Sequence, residues 1–271
     1  MIACNLHSHT TFCDGDHTPE EMLVSALEKG CSVYGFSGHA PSGVKNDYGF
    51  IPVDKMDAYC DEIKRLKDKY GDKIEVLLGI EQDYFSPTLT QRFDYVIGSV
   101  HYIQVDGEFV PMDVSYEAQK KAIDNIFSGD AIALAEKYFE TVAYLYEKTH
   151  CDIVGHFDLV TKYNEKYRYI DENDKRYKSA AIDALDALLS KDVLIEVNTG
   201  AMKRGWKTVP YPADFIIKRV LEKKGKLILG SDCHHKDDIF SYFEPVTERM
   251  KALGATELWI CKNGCFCPQK I

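Results

Sequence analysis

Short runs of β-branched and aliphatic residues alternate along this chain with longer stretches of helical period. That alternation restricts the fold to repeated βα units around a parallel sheet or barrel. The spacing predicts strands over 2–9, 32–39, 74–82, 95–102, 152–157, 193–198 and 226–231, with an eighth over 257–261. Thr18-Pro19-Glu20-Glu21 places a capping Thr, a Pro at the first helical position and a Glu at the third, and Gly30 closes the helix that follows. Further helices are expected over 54–70, closed by Gly71, over 116–148 in two parts broken near Gly129, and over 173–190, 213–224 and 238–253. Seven or eight such units in 271 residues, with no Pro/Gly-rich linker between them, predict one α/β barrel domain over 1–271.

The predicted strand ends carry the chemistry. His7 and His9 end the first strand as His-x-His, and a period of two turns both imidazoles to one side. His39 ends the second strand, Glu81 the third, His101 the fourth and His156 the fifth, while Asp232 and His234 end the seventh. Six strands therefore deliver a His, Asp or Glu to their C-terminal ends, the face on which parallel barrels build active sites. Neutral imidazoles and carboxylates suit Zn, Mn or Fe, and so many on one rim call for cations to hold them together. His150, at a helix end, and His235, which extended chain would turn away from His234, are read as surface residues.

Composition narrows the class of partner. With 33 Lys and Arg against 43 Asp and Glu, the formal charge of −10 is the wrong sign for gripping a polyphosphate backbone, so nucleic acid is not expected as a partner. No run of 18 apolar residues occurs, and the first residues lack both a basic and an apolar export region, so no membrane partner and a cytoplasmic location are expected. Nine cysteines, an odd number in a long chain, read as reduced thiols. Cys261, Cys265 and Cys267 would offer zinc three thiols within seven residues, as in a structural or regulatory metal site. They lack a fourth ligand and a Cys-x2-Cys spacing, and so read as incidental.

Leu6-His7-Ser8-His9-Thr10, Cys13-Asp14-Gly15, Gly38-His39, Gly79-Ile80-Glu81, Gly98-Ser99-Val100-His101-Tyr102, Gly155-His156 and Gly230-Ser231-Asp232-Cys233-His234 together resemble the PHP (polymerase and histidinol phosphatase) superfamily. Lys162, Val197-Asn198-Thr199-Gly200, Arg204 and Tyr211-Pro212 resemble more narrowly its stand-alone histidinol-phosphate phosphatases of histidine biosynthesis. The resemblance implies a distorted (β/α)7 barrel with three divalent metal ions (Zn, Mn or Fe) at the C-terminal face. One ion would take His7, His9, Glu81 and Asp232, and a second would share Glu81 and add His101 and His156. The third would take His39, His234 and either Asp14 or His17, with Asp14 preferred.

Such ions would cancel phosphate charge and lower the pKa of water, the two needs of a slow monoester hydrolysis. The substrate expected from the resemblance is a small phosphate monoester, L-histidinol phosphate. His17, Asp232 and His234 are the candidate general acids. Lys162 and Arg204, with His17, are candidate phosphate contacts. Tyr102, Asp113, Tyr163 and Tyr211 are candidates for the wall that meets the imidazole and amine. The competing enzyme class is a PHP-type phosphodiesterase or 3'-5' exonuclease, since the same metals cleave diesters. A basic track for nucleic acid would mark it, and none is visible.

Overall fold

The structure, a computed structural model, describes residues 2–44, 47 and 49–271. Between residues 42 and 52, residues 45, 46 and 48 lie outside that set. The chain begins β1 (Cys4–Asn5), α1 (Pro19–Glu28), β2 (Val33–Phe36), α2 (Met56–Tyr70), β3 (Glu75–Asp83), β4 (Tyr95–Ser99), β5 (Tyr102–Val105) and β6 (Glu108–Pro111). It continues α3 (Tyr116–Asn125), α4 (Ala131–Ala143), α5 (Leu145–Thr149), β7 (Ile153–Val154), α6 (Asn164–Tyr167), α7 (Lys175–Leu189) and β8 (Leu194–Asn198). The last elements are α8 (Gly200–Lys203), α9 (Asp214–Glu222), β9 (Lys226–Gly230), α10 (Phe243–Ala252), β10 (Glu257–Lys262) and β11 (Cys265–Lys270).

The main sheet runs β1-β2-β3-β4-β7-β8-β9-β10-β11, parallel from β1 through β10, with helices in the crossovers between parallel strands except from β3 to β4, which residues 84–94 join without one. The sheet curls until β1 approaches β9: just beyond these strands Ser8 bridges Cys233, with His9 N–H donating to the Cys233 carbonyl at 2.9 Å. Tyr95 on β4 fills the interior. Its hydroxyl reaches the carbonyl oxygens of Leu6 (2.5 Å) and Phe36 (3.1 Å), across two neighbouring strands. The ring fits because glycines face it: a Cβ on Gly35 or Gly79 would lie 2.3 or 2.2 Å from Tyr95 atoms.

Helix α1 starts as its sequence predicts, with Thr18 N–H donating to Glu21 Oε2 and Glu21 N–H to Thr18 Oγ1, and Gly30 follows at φ +78°. Two expectations need correction. The run over 95–102 is interrupted, because the chain leaves the sheet at Ser99 and Tyr102 opens an antiparallel hairpin, β5–β6, turned by Asp106-Gly107 at positive φ. The expected helix over 238–253 starts only at Phe243, after a short 3-10 turn at Lys236–Asp238. The expected eighth strand is present as β10, which touches β9 at a single pair and then turns back into β11. Glu75, at the start of β3, accepts from Asn263 N–H at 2.8 Å and Gly264 N–H at 2.6 Å, so this hairpin spans the face opposite the ligand-bearing strand ends. Its register puts Cys265 and Cys267 on one side of the ribbon and Cys261, which is buried, on the other. Among the described residues no cysteine joins a group that could hold a metal.

Candidate metal centre

Each ligand-type side chain reaches the rim because its strand, or the extended chain just past it, ends there. His39 and Glu81 are bridged in parallel, with Ala40 N–H donating to the Glu81 carbonyl at 2.8 Å. Asp232 has φ +49°, a left-handed conformation that Asp adopts more readily than most residues. Arg204 holds its carboxylate there, donating to Oδ2 at 2.7 Å and to the Asp232 carbonyl at 3.2 Å.

Glu81, 1% exposed, is the hub. Its Oε2 lies 3.2 Å from His7 Nε2, 3.4 Å from His9 Nε2 and 3.0 Å from His39 Nδ1. Its Oε1 lies 3.0 Å from His156 Nε2 and 3.5 Å from His101 Nε2. Asp232 Oδ1 lies 3.2 Å from His9 Nε2 and 3.6 Å from His7 Nε2. Asp14 closes the outer side, 3.3 Å from His234 Nε2, 3.7 Å from His39 Nε2 and 3.8 Å from His9 Nδ1.

These separations test whether the residues suit a cation. His7 Nε2, His9 Nε2 and Glu81 Oε2 are fully buried, face one another and have no hydrogen-bond partner. Buried polar atoms are almost always paired, so three orphans converging on one point describe a socket for a cation. Overlapping sets of ligand atoms within reach of one ion include His9, Asp14, His39 and His234; His7, His9 and Glu81; and His39, Glu81 and His101.

Electrostatics divides the imidazoles. Burial disfavours charge on His7, yet Glu196, Glu81 and Asp232 hold its pKa well above the ordinary value. His39 is raised likewise against its burial by Glu81 and Asp14, and His101 is raised to about 9 against burial, chiefly by Glu81. His9 falls to about 3, because burial is reinforced by His234 and His39 beside it. Glu81 and Asp232 stay well below the carboxylate range in spite of burial, Glu81 through the surrounding histidines and Asp232 chiefly through Arg204.

Two adjoining clefts open onto this centre and share Asp14, His39, His101 and Asp113. One, of about 420 Å³, is lined by Lys162, Lys203 and Arg204, the last two paired with Asp238 and Asp232. The other, of about 870 Å³, is lined by Asp47, Tyr102, Glu108 and Phe109, the last three on the hairpin. Lys162 donates to the Asp113 carbonyl at 2.9 Å, and Tyr102 donates to Asp47 at 2.7 Å. Tyr163 and Tyr211 are buried and line neither cleft: Tyr163 donates to the Asp113 carbonyl, while the Tyr211 ring lies 6.3 Å from that of His156. His17 sits off the cleft with its ring 4.4 Å from His235, and His235 lines the wall instead.

Sequence reasoning missed two carboxylates. Glu196 Oε1 lies 2.6 Å from His7 Nδ1, and Asp83 Oδ2 accepts from His101 N–H at 2.7 Å and lies 3.4 Å from His101 Nδ1. The signal for Glu196 was a lone acid inside the apolar run Leu194-Ile195-Glu196-Val197, a place where a charge is retained only when it is paired.

The model of the PHP domain matches residues 5–200. The chain belongs to the PHP domain family. This PHP chain is 27% identical over 278 aligned residues to a Schizosaccharomyces pombe protein named "Probable histidinol-phosphatase", covering 95% of the chain and 89% of that protein. It is 24% identical to the Bacillus subtilis histidinol-phosphatase, covering 90% and 97%. Its fold matches a crystal structure of the Lactococcus lactis histidinol phosphate phosphatase, complexed with zinc, L-histidinol and phosphate, at a TM-score of 0.70 and 20% identity, covering 97% and 98%.

Proposed function

We propose that this chain is a metal-dependent phosphomonoesterase that hydrolyses L-histidinol phosphate to L-histidinol and inorganic phosphate, a step of histidine biosynthesis. The observation that carries the reading is that, of the two clefts about one buried histidine and carboxylate cluster, one holds, among the described residues, all the lysine and arginine of their linings and the other holds none. The substrate is bipolar in the same sense, with a phosphate at one end and an ammonium and imidazole at the other. Lys162, Lys203 and Arg204 suit the phosphate, and Asp47, Glu108 and Asp113, with the rings of Tyr102 and Phe109, suit the cationic end. The names of the full-length relatives and the ligands in the Lactococcus lactis structure support the same substrate.

Three divalent ions fit the donor set: His7, His9, Glu81 and Asp232 for one, Glu81, His101 and His156 for the second, and Asp14, His39 and His234 for the third. Zinc is favoured, since the Lactococcus lactis enzyme holds it. Bound there, such ions neutralise phosphate charge and make water acidic enough to supply a nucleophile near neutral pH. The residues position and balance: Arg204 fixes Asp232, and Asp113 orients Lys162 toward the cleft. Asp232, His234 and His17 are the candidates for protonating the leaving alkoxide, and the position of His17 beside His235, off the cleft, ranks it third. Residues 1–271 act as one catalytic domain. Among the described residues no helix is long and apolar enough to cross a membrane.

Phosphate release from L-histidinol phosphate, p-nitrophenyl phosphate and a short oligonucleotide, each with zinc or manganese, tests the assignment. A strong preference for histidinol phosphate is expected. Equal turnover of both monoesters overturns the substrate, and cleavage of the oligonucleotide in preference to both points to the diesterase class.

A further inference from the structure

Glu196 stands behind the cluster and touches two of its members at once. One oxygen, Oε1, lies 2.6 Å from His7 Nδ1. The other, Oε2, accepts from the backbone N–H of His156 at 2.9 Å and from Asn198 Nδ2 at 2.9 Å. The side chain is 1% exposed, so these partners stand in for water. Space for it exists because residue 230 is glycine: a Cβ there would lie 1.8 Å from Glu196 Oε1, closer than any atoms can approach.

We propose that Glu196 is a positioning residue for the metal centre, fixing the His7 proton on Nδ1 so that Nε2 presents its lone pair to the cluster, and anchoring the main chain of His156 with the same carboxylate. The inference rests on the metal-centre reading. An ionised carboxylate only accepts hydrogen bonds, so a hydrogen placed on His7 Nδ1 is held there, and Nε2, a buried atom without a partner, is left as the ligand. Gly230 belongs to the same device, since its missing side chain is the room in which Oε1 sits.

A glutamine cannot reproduce this. With its oxygen toward His7, its NH2 meets the His156 N–H and Asn198 donors head-on. Turned the other way, the NH2 faces Nδ1, draws the His7 proton to Nε2 and occupies the lone pair a metal needs.

The test measures zinc affinity of the full chain by competition with a chromogenic chelator, alongside 15N spectra of histidine-labelled, zinc-loaded protein. Glu196→Gln is expected to weaken zinc binding by about 10- to 100-fold, the range found when such supporting partners are lost, and to shift the His7 ring nitrogens. Gly230→Ala keeps the carboxylate but displaces it, and is expected to weaken zinc in the same range. Should E196Q not accumulate folded, Asn198→Ala, which removes one donor to Oε2, is expected to weaken zinc roughly 3-fold or more. Zinc affinity within twofold of wild type in E196Q or G230A, with the His7 resonances unmoved, overturns the proposal. A wild-type chain that takes up no zinc overturns the metal centre itself.

Discussion

At the scale of the residue, Glu81 is the group on which the cluster turns, since its two oxygens lie within 3.5 Å of five imidazoles. Replacing it by glutamine keeps the shape and removes the negative charge that would bridge cations. E81Q is expected to lower bound metal and to reduce kcat/KM by at least about 100-fold, more than loss of a supporting partner costs. Metal content by elemental analysis together with turnover checks this, and near-normal activity with full metal removes Glu81 from the centre. Asp113 makes a different prediction, because it borders both clefts and its carboxyl, despite burial, is held below the usual range by His101 and Lys162. If it meets the cationic end of the substrate, D113N raises KM for histidinol phosphate by about tenfold, the value of one charge-assisted contact, and leaves p-nitrophenyl phosphate nearly unaffected. An equal loss on both substrates assigns Asp113 to Lys162 instead.

At the scale of the element, what the sequence made legible follows from period and capping. A period of two was enough to gather the strand-end ligands, because a parallel strand delivers its last residues to one rim whatever its length. Several strands proved shorter than expected, β1 and β7 only two residues each, yet the extended chain beyond β1 still carries His7 and His9 to the centre. The hairpin β5–β6 was also written in the sequence, as Asp106-Gly107 between β-prone runs, but Tyr102 continues the apolar run of β4 and hides the break. Glu196 and Asp83 were less accessible, since their meaning depends on partners about 189 and 18 positions away in sequence. The caps give an element-scale prediction. Asp130 Oδ1 accepts from Ile132 N–H at 2.9 Å and Ala133 N–H at 3.0 Å at the start of α4. D130A therefore costs about 1–2 kcal/mol in urea unfolding, with zinc affinity unchanged. A loss of metal along with stability would show that α4 is coupled to the centre.

At the scale of the whole molecule, the −10 formal charge describes the chain without metal, and three divalent ions would bring it to about −4 with the positive charge gathered at the mouth of the cleft. The same protons and ions compete for the same nitrogens, which gives stability a pH signature. Without metal, His101 titrates at about 9 instead of 6.5, and His7 and His39 are also raised, largely by Glu81 and its neighbouring carboxylates. A raised folded-state pKa stabilises fully below the unfolded value and is lost as pH climbs through the folded one. The share of stability these three histidines supply to chelator-treated protein should thus be level up to about pH 6.5 and fall between 6.5 and 9, while His9, neutral in both folded forms over this range, cancels in the comparison. With metal bound these imidazoles are neutral, each having given up its second proton, while the unfolded chain takes protons up below about 6.5. Stability of the loaded protein should rise toward pH 6.5 and then level. Groups remote from the centre titrate alike in both forms and cancel in the difference, so the gap between loaded and chelated melting temperatures widens steadily from pH 5 to 9. Thermal melts of both forms across that range measure it directly, and two parallel curves would mean that no ion displaces protons from these histidines.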